Sequence, residues 1–305
     1  MSGPSTRFQL AAAGRTHVGL RRTENQDRYL VTEHIQAVAD GMGGHEAGEV
    51  AAQLAVETLE ELQVLVHKTS EPAVLTQQQV VRQVQLADDR IRDALEARGG
   101  TTLCMLCMIG AEEPSEETQP VPSAVPPWTG SYQRGPNTDV VRRITPQALE
   151  EYRRQAADNL RGQDNPKAKG RALLLVNVGD SRGYRLRNGQ LVQLTRDHSA
   201  VQEMVDAGQI TEVEARNHPH RNLITRALGA GADSHPDTTV LRPRVGDRYL
   251  LCSDGLSGEL SVESIAELLI SYRNRDAAAA ALVSAAVEAG GRDNVAVVVV
   301  DVLAE

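Results

Sequence analysis

Five short apolar runs, Ile35–Ala39, Leu103–Ile109, Ala172–Val178, Tyr249–Cys252 and Val295–Val302, constrain this chain more than anything else in it. They are rich in Val, Leu and Ile, and several are bounded by glycines or acids, the pattern of buried strands. Between them lie long helical patterns. Glu46–His67 sets Val50, Leu54, Val56, Leu59, Leu62, Leu65 and Val66 close to one stripe, and Gln77–Ala97, Ser261–Tyr272 and Asp276–Ala289 read similarly. Two long helices follow the first strands and two more precede the last. Blocks of this kind predict an α+β layered domain and not a strictly alternating parallel sheet. With only 3% aromatic residues, one Trp and one Phe, the core has to be aliphatic.

One stretch breaks the pattern. Glu112–Trp128 holds five prolines, four glutamates and no basic residue, so it can form neither strand nor helix of any length. Gly130–Thr138 continues as a polar loop, and Thr145–Leu160 has the spacing of a helix. Residues 111–170 therefore read as an insertion between two strands, which makes the strands ending at Ile109 and starting at Ala172 neighbours. At 305 residues with a formal charge of −9, the chain lacks the basic face and stacking rings of a nucleic-acid binder. No apolar run reaches the roughly 20 residues that span a bilayer, and Met1–Arg15 has no export-signal pattern. Three cysteines cannot build a disulfide framework and suit a reducing compartment. These features predict a soluble, cytoplasmic protein with no membrane or nucleic-acid partner.

Chemistry is carried by acids at strand ends. Asp40 ends IQAVAD, Asp180 follows ALLLVNVG and Asp254 follows RYLLCS. Asp293 lies in GGRDN just before a strand, and Asp27 lies in RRTENQD shortly before YLV. Any one of them alone reads as a turn residue. Strand ends share a rim of a sheet, however, and carboxylates converging there repel unless protonated or bound to a cation. An all-oxygen set selects hard divalent ions, Mg²⁺ or Mn²⁺, over zinc.

Other candidate motifs carry less. Asp40–Gly48 is glycine-rich but is no Walker loop and does not spell GxGxxG. Cys104 and Cys107 form a CxxC, yet no second ligand pair exists, and positions three apart in a strand face opposite ways. Cys252 reads as a small buried residue. His45 lies beside the acidic loop and could donate a proton, or could simply bond a neighbouring carbonyl.

RRTENQD, VADGMGGH, the GTT of Gly100–Thr102, VNVGDSRGY, LTRDHS, LLCSDGL and GGRDN occur in one order. In that order they resemble the metal-dependent PP2C (PPM) serine/threonine phosphatases of the bacterial type. The likeness runs from about Thr16 to Val302, interrupted by 111–170. It implies a single PP2C-type domain over residues 1–305, with a core of about 16–302 and a flap at about Leu194–Leu228. The implied fold is α+β, a central sandwich of two antiparallel β-sheets flanked by helix pairs in four layers.

The resemblance also assigns roles. Asp40 would bridge two Mn²⁺ or Mg²⁺ ions, the Gly41 carbonyl would bind one, and Asp254 and Asp293 would complete the first. Asp27 would act near the second, mostly through water, and Asp180 with Asp254 could hold a third, weaker ion. Arg22 would hold substrate phosphate and Asn294 would support the same region by hydrogen bonds. Two departures from the eukaryotic pattern stand out. Gln26 stands where it has a glutamate, a change that bacterial members often share and that leaves water to fill the gap. Met42 stands where it has a histidine, leaving His45 or metal-bound water as proton donor.

The implied activity is hydrolysis of phosphoserine and phosphothreonine in proteins by metal-activated water, with a serine/threonine kinase among the substrates. A phosphoprotein-binding module without turnover and a hydrolase of small phosphomonoesters are the alternatives.

Overall fold

The structure, a computed structural model, describes residues 8–43, 46–67, 75–110, 171–231 and 233–305. Among the described residues, eleven strands are arranged in two antiparallel sheets. The first sheet runs in the order β1 (Phe8–His17), β11 (Val295–Ala304), β10 (Arg248–Cys252), β7 (Arg182–Arg187), β8 (Gln190–Gln193). The second runs β2 (Asp27–Val31), β3 (Ile35–Gly43), β5 (Leu103–Gly110), β6 (Arg171–Val178), β9 (Asp237–Leu241), with β4 (Gly99–Thr101) paired to the end of β3.

Strand alternation builds the layers. On β11, Val298 and Val300 point between the sheets and meet Val38, Leu106, Leu173 and Leu175. Val297 and Val299 point outward, under α6 (Val262–Ser271) and α7 (Arg275–Ala289). On β5, Cys104 and Leu106 face the other sheet. Leu103, Met105 and Cys107 face α1 (Ala47–His67) and α2 (Gln77–Leu95) through Ala51, Ala55, Leu59, Val84 and Ile91. The result is the four-layer α+β sandwich with a helix pair on each outer face. The two cysteines of the CxxC thus sit on opposite faces of β5, both buried and free, which removes the pair as a metal or redox site.

Helix starts follow local chemistry. α2 opens with a capping box in which Thr76 and Gln79 satisfy each other's backbone amides. The 10-residue strand β1 begins at Phe8, ahead of the stretch the family motifs cover, and its ladder with β11 extends from Phe8–Ala304 to His17–Val295. Its alanine-rich, half-buried sequence carries no clean alternation, so only the partner strand reveals it.

The β5–β6 ladder closes with Gly110 opposite Arg171, so the two strands flanking 111–170 are hydrogen-bonded neighbours. The insertion itself, with its Thr145–Leu160 pattern, lies outside the described residues. Among the described residues no helix is long and apolar enough to cross a membrane.

Candidate functional site

Register brings the acids together. β2 begins at Asp27, which pairs directly with Asp40 on β3. β6 ends at Val178, opposite Leu103, and the next turn carries Asp180. β10 ends at Cys252, opposite Val297, so Ser253 and Asp254 leave it beside the segment where Asp293 and Asn294 enter β11. All five acids therefore occupy one rim of the sandwich. Asp254 opens a short helix, α5 (Asp254–Ser257), after the extended Ser253.

The rim is held by backbone and hydroxyl contacts. The Asp40 carbonyl accepts from the Thr102 amide (2.9 Å) and the Thr101 hydroxyl (3.0 Å), and the Asp40 amide donates to the Thr102 hydroxyl (3.1 Å). The Ser253 hydroxyl donates to Asp27 Oδ2 (2.7 Å) and accepts from the Ala296 amide (2.9 Å). Asn294 accepts the Gln26 amide at Oδ1 (2.8 Å), and its Nδ2 donates to the carbonyls of Val18 and Glu24 (2.9 Å each). One side chain thereby fixes the loop that carries Arg22. Gly41 runs so close to α1 that an added Cβ would lie 2.1 Å from the Gly48 carbonyl oxygen, which is why no larger residue fits there.

Arg22 forms a two-pronged ion pair with Asp293, Nε to Oδ1 at 2.9 Å and Nη2 to Oδ2 at 2.7 Å, and both groups reach solvent. Bonding to Asp293 first, then its charge and those of Asp254 and Asp40, holds the guanidinium pKa above its ordinary value. His45 lies outside the described residues. Ser253, Thr102 and Ser181, whose hydroxyl meets that of Thr102 at 2.7 Å, are supporting residues that the acid pattern did not reveal. The signal was present: Ser253 sits inside LLCSDGL and Thr102 inside the GTT.

The electrostatics are those of carboxylates crowded together. Asp27 is 1% exposed, whereas Asp40, Asp180, Asp254 and Asp293 are half-buried and keep a path to water. Burial first, then neighbouring carboxylates, pushes Asp27 up to about 7 and Asp180 up to about 8. Asp40 is driven well above the usual carboxylate range by burial and by Asp27, Asp254, Asp180 and Asp293 together. Asp254 is raised by burial and Asp293. Asp27 and Asp254 each lie within hydrogen-bonding reach of Asp40. Among the described residues no three His, Cys, Asp or Glu side chains already converge on one ion position. The acids are linked pairwise through Asp40, and Asp293 is taken by Arg22. An all-oxygen, mutually repelling set of this kind fits hard divalent cations.

That charge imbalance has a thermodynamic sign. A carboxyl whose folded pKa is raised binds its proton more tightly in the native state, so its stabilising contribution is lost as pH rises through the folded value. With Asp27 at about 7 and Asp180 at about 8, the metal-free protein should melt at a lower temperature at pH 8.5 than at pH 6. Added Mn²⁺ should raise the melting temperature more at pH 8.5 than at pH 6. Thermal melts in chelator and in Mn²⁺ across that range test it, and a chelated protein that melts higher at pH 8.5 would refute the assignment.

A two-sheet sandwich between helix pairs, with buried acids along one rim, defines a metal-site architecture, and comparison with known proteins gives its family. No family profile matches the chain. It is 34% identical over 300 residues to serine/threonine protein phosphatase PstP of Mycobacterium tuberculosis, covering 96% of this chain and 45% of that protein. It is 30% identical over 292 residues to serine/threonine phosphatase stp of Listeria monocytogenes, covering 94% of each. The solved catalytic domain of PstP in complex with two manganese ions superposes with a TM-score of 0.69 at 32% identity, covering 97% of this chain and 100% of that one. The chain belongs to the bacterial PP2C-type (PPM) serine/threonine phosphatase family. It spans about half the length of the mycobacterial relative and nearly all of the listerial one.

Proposed function

We propose that this chain removes phosphate from phosphoserine and phosphothreonine in proteins. Two Mn²⁺ or Mg²⁺ ions would be held by Asp40, the Gly41 carbonyl, Asp254 and Asp293, with Asp27 acting mostly through water. A third, looser ion would be held by Asp180 with Asp254. The observation that carries the reading is the set of five acids gathered on one rim, with the Arg22 guanidinium paired to one of them, Asp293. Bound divalent ions supply the Lewis acidity that makes water a nucleophile near neutral pH.

The chain's own residues do the rest. Asp27, fixed by the Ser253 hydroxyl, would offer its carboxylate to that water. Arg22 presents a planar fork that suits phosphate oxygens, and it would be free to bind them if Asp293 bound a cation instead. Asn294 keeps the Arg22 loop in place during that exchange. Positioning and charge stabilisation then carry the phosphoryl transfer, with no covalent enzyme intermediate. A serine/threonine kinase is among the substrates we expect, and three buried, free cysteines suit a reducing cytoplasm.

Assays on p-nitrophenyl phosphate and on phosphoserine, phosphothreonine and phosphotyrosine peptides, in chelator and in Mn²⁺, test the reading. Hydrolysis should be absent in chelator, return with Mn²⁺, and extend to the serine and threonine peptides. Turnover of small esters alone would replace the protein substrate with a small phosphomonoester. Binding of phosphopeptides without turnover would make this a recognition module.

A further inference from the structure

We propose that His198 is a positioning residue that couples the flap to the turn carrying Asp180, so that the loosest ion position exists only while the flap is docked. The inference rests on the metal-dependent reading above and goes beyond it by assigning a role to a residue outside the acid set. His198 is 2% exposed although it is a histidine, and each of its polar groups is bonded. Its backbone amide donates to the Gly179 carbonyl (2.9 Å), and its ring Nδ1 accepts from the Gly179 amide (3.1 Å). Its own carbonyl accepts from the Thr225 amide (2.9 Å). With Nδ1 an acceptor, the ring proton sits on Nε2, which faces Asp237 Oδ2 at 3.2 Å. Arg226 reaches the same carboxylate at 2.8 Å.

Two of these bonds hold the residue next to Asp180, and a third holds the return of the flap. The flap, with α3 (Ala200–Asp206) and α4 (Glu212–Arg216), leaves the sandwich at Ser199 and comes back at Ile224, where the two residues bridge. His198 therefore lies at its neck. On the far side of the turn, Gly179 has φ of +100°, and an added Cβ would lie 2.6 Å from the Thr102 side chain. Thr102 is the residue that clasps Asp40 by its amide and hydroxyl and touches Ser181. A contiguous chain of contacts thus runs from flap to His198, to the Gly179–Ser181 turn, to Thr102, to Asp40.

A second side chain braces the same turn: Asn177 Nδ2 donates to the Gly179 carbonyl (3.1 Å) and to the Arg196 carbonyl at the root of the flap (3.2 Å). The nearby Arg182 is occupied by Asp197, itself at the root of the flap, through contacts of 2.6–3.0 Å. The turn carrying Asp180 is thus tied to the flap through Gly179, and His198 is the side chain that grips the Gly179 amide. Partners that orient a ligating group typically matter about 10–100-fold in metal affinity or activity.

The test uses the full chain with His198→Leu, His198→Asn, Asp237→Asn and Asp180→Ala. Each is titrated with Mn²⁺ by calorimetry and assayed across Mn²⁺ concentration on a phosphothreonine peptide. His198→Leu should lose the weak binding event as Asp180→Ala does, keep the tight ones, and need about tenfold more Mn²⁺ for half-maximal turnover. His198→Asn, whose Oδ1 can stand where Nδ1 accepted the Gly179 amide, should remain close to the unmodified chain. Asp237→Asn should weaken the loose event about threefold, a smaller second-order effect of the same bracing.

The proposal is overturned if His198→Leu keeps the unmodified isotherm and half-saturation, even with a lower melting temperature, since that is packing alone. It is also overturned if His198→Asn is as damaging as His198→Leu, or if the unmodified chain shows no weak event. Should His198→Leu not fold, an unchanged isotherm in Asp237→Asn overturns it. If the unmodified chain binds Mn²⁺ but turns over no peptide, the phosphatase reading fails while the isotherms still decide the role of His198.

Discussion

An Asp40→Asn variant should keep its fold and lose at least about a thousandfold in turnover of p-nitrophenyl phosphate at saturating Mn²⁺. Asp40 is the hub of the acid set: Asp27 and Asp254 both approach it within hydrogen-bonding reach, and it feels the charges of Asp180 and Asp293 as well. An amide there removes one negative charge and turns a donor group toward the place where cations must sit. The backbone should not move, because Thr101 and Thr102 hold its carbonyl and amide independently of the side chain. The metal-free variant should even melt higher than the unmodified chain at pH 8.5, since one repelling carboxylate is gone. Near-normal turnover with a native circular dichroism spectrum would refute the site.

Gly255→Ala should be the most damaging single methyl in the described part of the chain. A Cβ at that position would lie 1.8 Å from the Asn294 carbonyl oxygen and 2.8 Å from its carbonyl carbon. The obstacle is backbone, and the Asn294 side chain anchors it by three hydrogen bonds to residues 18, 24 and 26, so it has nowhere to retreat. The cost should be about 3 kcal/mol or more in urea unfolding, at or beyond the usual range for overpacking. Mn²⁺ affinity should fall with it, because the methyl separates Asp254 from Asp293. A loss below about 1 kcal/mol would show that the two segments are less tightly apposed than the structure has them.

The buried half of this fold was legible in sequence. β3, β5, β6, β10 and β11 are nearly continuous apolar runs, and their ends announce the rim on which Asp40, Asp180 and Asp254 lie. β7 was not legible. Its RGYRLR alternates charge with bulk because Tyr184 and Leu186 lie under helices while Arg187 bonds Asp247 at 2.6 Å in a seam between the sheets. β8 and β9 were hidden for a related reason: each is a short edge strand with one paired side, and neither is apolar enough to stand out. At the site, carboxylates are visible because their charge is costly to bury. The supporting roles of Ser253, Thr102 and His198 are not, although each lies in a recognisable motif, since those roles come from contacts across 43 to 226 residues of chain or from a single backbone amide. The pairing of Arg22 with Asp293 likewise depends on a register that spacing cannot supply.

The β1–β11 ladder has a mechanical consequence. Its two strands run antiparallel, with Phe8 opposite Ala304 at one end and His17 opposite Val295 at the other. A load applied between Phe8 and Ala304 pulls on facing residues, so the strands separate like a zipper, breaking one or two hydrogen bonds at a time instead of shearing many at once. The break starts at the end remote from the acids and travels toward Asn294, the last fastening before the Arg22 loop comes free. Tension on this pair of strands would therefore fray the molecule from its distant edge, and the acidic rim would be the last part to yield.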